Sequence, residues 1–177
     1  MANVTGEHLS PDILALLALL HEHSVRYLII GGEAVIYHGY PRLTGDVDLL
    51  YEPTEANSER LYAALEEFWG GDVPLLEGPR ELATPGIVVQ FGRPPNRVDL
   101  ISTAGTLRFA SAWRRRATDQ VRARRPFPVF YIGLVDLLAI KREAGRHKDL
   151  DDVEQLERIS GRRRAPQKRR RLRKKRR

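Results

Sequence analysis

Apolar and polar positions alternate along this chain in segments that switch between helical and strand periods. The longest apolar run, "ILALLALL" from Ile13 to Leu20, predicts a core helix, with Ser10 as its N-cap and Pro11 at its first helical position. "RYLII" is a β-branched strand that runs into Gly31-Gly32. "EAVIYHGY" predicts a short helix stopped by Gly39 and Pro41, and "DVDLLYE" a second strand. "TEANSERLYAALEEFWGG" is helical: Thr54 caps it, Leu61, Ala64, Leu65 and Phe68 form its apolar stripe, and Gly70-Gly71 ends it. "GIVVQFG" and "NRVDLIS" are strands joined by the turn "RPPN". In residues 105–131, "TLRFASAWRRR" has a short helical pattern, and "QVRARR" and "FPVFYI" have strand patterns. "GLVDLLAIKREAG" and "DLDDVEQLERIS" are helices, and no internal repeat is visible. The expected fold class is α/β (α+β), a small mixed sheet with helices packed against it.

The 177 residues suit one domain with a sizeable core. The chain has no cysteine, which excludes a disulfide framework and thiolate metal sites and fits an intracellular, cytoplasmic location. The run at Ile13–Leu20 is too short to span a bilayer and lacks a basic segment before it, so no membrane association is expected. The net charge of +7 divides unevenly. From Arg162 onward "RRRAPQKRRRLRKKRR" holds 12 Lys/Arg and no acid, leaving 18 basic against 23 acidic residues before it. The expected organisation is therefore a mildly acidic domain over 1–160 and a basic tail over 161–177. The tail has too little to bury to fold alone, and it suits electrostatic contact with RNA.

The chemistry concentrates at two aspartates inside an apolar strand. Side chains alternate along a strand, so Asp46 and Asp48 share one face while Val47 and Leu49 share the other. Adjacent carboxylates repel and are costly to desolvate. A hard divalent cation relieves both penalties, whereas a solvated edge strand merely tolerates them. Asp99 in "RVDLI" faces away from Val98 and Leu100, and it joins the pair if the two strands are neighbours. Gly31 and Gly32 stand where a strand enters a helix, as an anion-binding turn or simply a tight turn would require. Lys141 lies on the apolar stripe of its helix with Leu134, Leu137 and Leu138, either snorkelling from the helix end or aimed at an anion in a cleft. Asp149 and Asp152 open the next helix, where capping and helix-dipole charge compete with a substrate role. The dinucleotide and P-loop glycine motifs, metal-spaced histidines and the G-x-S-x-G turn are all absent.

The stretch "GGEAVIYHGYPRLTGDVDLL" resembles the GG/GS-x-D-x-D signature of the DNA polymerase β-like nucleotidyltransferase superfamily. Its R-x-T-x-D-x-D form (Arg42, Thr44, Asp46, Asp48) is most similar to small prokaryotic members, among them the AbiEii/MenT-type nucleotidyltransferases of toxin–antitoxin systems. "LLAIKREAGRHKDLDDVEQL" is similar to that group as well, and the resemblance covers about residues 25–160. It implies the polymerase β-like nucleotidyltransferase fold. It also implies Mg²⁺-dependent transfer of a nucleoside monophosphate from a triphosphate such as ATP to an acceptor hydroxyl. Asp46, Asp48 and Asp99 would be the ligands of two Mg²⁺ ions, and Lys141 would contact phosphate. Gly31 and Gly32 would form the phosphate-binding turn, with Arg42, Thr44, Asp149 and Asp152 on the substrate side. The acceptor stays open: RNA for a toxin-like member, an antibiotic hydroxyl for a resistance enzyme, or a cognate toxin or antitoxin protein. A separate reading makes the chain a non-catalytic nucleic-acid-binding protein that acts through its tail.

Overall fold

Why the chain folds where it does is seen first at its helix ends. In the computed structural model, which describes residues 9–94, 96–122 and 124–164, Ser10 Oγ accepts from Ile13 N at 3.4 Å and starts α1 (Pro11–Glu22). Thr54 Oγ1 accepts from Asn57 N at 3.4 Å and starts α3 (Glu55–Trp69), which ends at Gly70 in the left-handed conformation. Between them lie β1 (Tyr27–Ile29), α2 (Gly31–Tyr37) and β2 (Asp46–Tyr51). After α3 come α4 (Pro79–Leu82), β3 (Val88–Phe91), β4 (Arg97–Ile101), α5 (Phe109–Arg114), β5 (Ala117–Val121) and β6 (Phe127–Tyr131). The chain closes with α6 (Leu134–Ala144) and α7 (His147–Arg164). The ambiguous segment 105–131 thus forms a helix and a strand hairpin, and α4 is a single turn that the apolar pattern did not signal.

The fold is mixed α/β: six strands in the order β3-β4-β2-β1-β6-β5, flanked by helices. The β3/β4, β1/β2 and β5/β6 pairs are antiparallel, whereas β2/β4 and β1/β6 are parallel. The core is built from the buried faces of β1, β2 and β6 with Leu16, Leu17 and Leu20 of α1 and Leu61 and Leu65 of α3. One register brings the acidic side chains together: β2 lies directly beside β4, with Asp46 opposite Arg97 and Asp48 opposite Asp99.

The last helix crosses the boundary expected at residue 160. α7 continues through Ser160 and Gly161 to Arg164, and the basic tail beyond it lies outside the described residues. No helix among the described residues is long and apolar enough to cross a membrane.

Candidate metal centre

The β2/β4 pairing assembles the three aspartates. Asp46 and Asp48 occupy alternate positions on β2 and Asp99 stands across from Asp48, so one carboxylate oxygen from each can lie within 4.8 Å of the others. Asp46 and Asp48 are half-buried and Asp99 is buried. All three donors are oxygens, the set a hard divalent cation prefers, so the residues fit such an ion.

Local sequence holds each carboxylate in place. Thr44 Oγ1 donates to Asp46 Oδ1 at 3.1 Å. Gln90 Nε2, on β3, donates to Asp99 Oδ2 at 2.9 Å. Asp48 sits against the start of α2, where a β-carbon on Gly31 would come within 1.8 Å of its Oδ2. Gly31 also has φ +61°, so steric room and backbone conformation both call for glycine there. Gly32 is required for a different reason: a β-carbon would lie 2.4 Å from Thr44 Oγ1 and 3.2 Å from an Arg42 nitrogen. In this structure the glycine pair accommodates Asp48, Thr44 and Arg42.

Burial pushes the Asp48 carboxyl up to about 6, and the neighbouring Asp46 and Asp99 carboxylates add to the shift against the opposing pull of Arg97 and Lys141. Arg97 is the functional candidate that sequence reasoning missed. It lies two residues before Asp99 on the same strand face and ion-pairs with both Asp46 and Asp99. The signal was present in "RVD", since i and i+2 share a face.

Beside the carboxylates is a cleft of about 330 Å³, lined by Gly31, Asp48, Asp99, Lys141, Arg146 and Asp149 among others. Lys141 neither snorkels nor stands free. It is buried, with Nζ 3.0 Å from Asp149 Oδ1 and 2.8 Å from Asp152 Oδ2. Arg42 Nε lies 2.9 Å from Asp152 Oδ1, and Arg146 Nε donates to Asp149 Oδ2 at 2.5 Å. Burial pushes the Asp149 carboxyl up, but hydrogen bonds from Arg146 and Lys141 outweigh it and leave Asp149 below its ordinary value. Arg42, Lys141, Asp149 and Asp152 therefore form one ion-pair network joining the loop before β2 to α6 and α7. Lys141 and Asp149 line the cleft, while Arg42 and Asp152, paired with each other, are not part of its lining.

Comparison with known proteins adds no relative: no family model matches the chain, and no curated protein matches it.

Proposed function

We propose that the chain is a Mg²⁺-dependent nucleotidyltransferase of the DNA polymerase β-like class, moving a nucleoside monophosphate from a triphosphate to an acceptor hydroxyl. The observation that carries this reading is the convergence of Asp46, Asp48 and Asp99, of which Asp48 and Asp99 line a cleft that Lys141 and Arg146 also line. The clustered carboxylates suit divalent cations, and the cations of the same cleft suit phosphates. In the reaction the acceptor oxygen bonds to the α-phosphorus, the bond from that phosphorus to the bridging oxygen breaks, and pyrophosphate leaves while the hydroxyl loses its proton. Two Mg²⁺ ions held by Asp46, Asp48 and Asp99 would supply charge stabilisation for the attacking and leaving oxygens. The protein's own part is to hold the carboxylates through Thr44 and Gln90 and to present cations to the phosphates.

The 12 Lys/Arg of the basic tail favour RNA as acceptor, since a small antibiotic gains nothing from such a charge run. The competing reading, a non-catalytic nucleic-acid-binding protein, draws on the ion pairs that already satisfy Lys141, Arg42 and Arg97. The deciding experiment incubates the full chain and Asp46→Asn with each labelled triphosphate, Mg²⁺, total RNA and cell extract. Label transferred by the wild type and lost in the variant supports the enzyme. No label and no pyrophosphate under any condition leaves the binding protein.

A further inference from the structure

The metal centre already contains a cation, and it belongs to the protein. We infer that Arg97 is a resident counter-ion that a divalent metal must displace, so the centre stays latched until it is loaded. This rests on the metal reading of the three aspartates. Arg97 stands directly across from Asp46 in the β2/β4 ladder and two residues before Asp99 on the same face. Its guanidinium contacts Asp46 Oδ2, its Nε lies 3.1 Å from Asp99 Oδ1, and its Nη2 donates to Asp99 Oδ2 at 3.3 Å. One guanidinium thus engages three of the four oxygens that Asp46 and Asp99 offer. Only the Asp48 carboxylate, which receives no hydrogen bond among the described residues, is left open.

A guanidinium has donors and no acceptor, and its charge repels an incoming dication. The two cannot share those oxygens at full occupancy. The surroundings permit the exchange. The Arg97 side chain is 32% exposed, which leaves it a route toward solvent. When it leaves, Thr44 still holds Asp46 and Gln90 still holds Asp99, so both carboxylates keep their orientation. The structure therefore carries two sets of restraints on the same carboxylates, one permanent and neutral, the other cationic and displaceable. An arginine serving only to orient Asp99 would duplicate what Gln90 already does.

The test tracks Arg97 in the wild-type full chain, by NMR of its Nε–H resonance during a Mg²⁺ titration. Backbone amides of Asp46 to Asp48 report independently whether metal binds. The expected result is that the Arg97 resonance shifts and exchanges faster with water as those amides saturate. Saturation with an unchanged Arg97 resonance overturns the latch while leaving the metal reading standing. Calorimetry with Mn²⁺ gives a second, separate measure. Arg97→Met should bind the ion about tenfold more tightly than wild type, the equivalent of removing one competing partner of modest strength. Equal or weaker binding makes Arg97 a supporting residue and overturns the proposal. If neither ion produces a response in wild type or variant, the metal reading itself fails and the latch with it.

Discussion

Replacing Asp48 by Asn should make this protein more stable, and only at the right pH. Asp48 is held half-buried between two other carboxylates, and its carboxyl is raised from 3.8 to about 6. A group whose folded-state value lies above its unfolded value favours the fold most when protonated. Its contribution is fully present below pH ~4 and is lost as pH rises through 6. From 3.8 to about 6, the loss comes to roughly 3 kcal/mol at most. Asn keeps the shape and cannot ionise. The variant and the wild type should therefore have similar stability near pH 4, and a gap in favour of Asn should open between pH 4 and 6 and level off above 7. Urea denaturation at pH 4.5, 6 and 8 measures the gap directly. Mg²⁺ should narrow it at pH 8 by stabilising the wild type, and it should have little effect at pH 5, where the proton competes with the ion. A gap that does not depend on pH, or a variant less stable at pH 8, would refute the reasoning about charge at this position.

Other outcomes come from the same geometry. Lys141→Met should cost roughly 3 kcal/mol in a denaturation experiment, because Asp149 and Asp152 lose a buried partner while retaining Arg146 and Arg42; unchanged stability would show that the network does not depend on it. Gly31→Ala should destabilise by about 2 kcal/mol or more, since a left-handed residue gains a β-carbon aimed at Asp48; thermal unfolding checks it, with Gly161→Ala, where a β-carbon meets nothing, as the control. Truncation after Arg164 should leave the domain folded by circular dichroism and weaken RNA binding most at low salt. The salt dependence should also lose a log–log slope of about 0.7 for each phosphate contact removed.

The sequence was most legible where the signal was local. Ser10, Thr54 and Gly70 mark helix ends because capping involves neighbours three or four residues apart. The alternation in "DVDLL" told which side chains share a face, and the β2/β4 register then placed Asp99 with them. That register itself could not be read, because a parallel pairing joins residues some fifty positions apart across two intervening helices and a strand. Lys141 shows a different shortfall. Its own helix indicated burial, but its partners Asp149 and Asp152 reach it only because α7 folds back after Gly145. Periodicity within one helix says nothing about which charges a second helix will present. Gly32 was legible as a special position and not as the reason for it, which is the Thr44 hydroxyl packed against it.

Helix α7 also sets a distance. It begins beside the cleft, where Asp149 lines the wall, and continues as one helix to Arg164, where the run of cations is already under way. Fifteen residues at 1.5 Å each separate Asp149 from Arg164 by about 22 Å along the axis. At roughly 3.4 Å per stacked nucleotide, this equals some six or seven steps. Under the proposed RNA-modifying function, a strand gripped at the far end of this rod would present to the cleft a nucleotide several positions away from the grip. The protein would then choose its point of reaction by counting along the chain from where it holds, with no need to read a base.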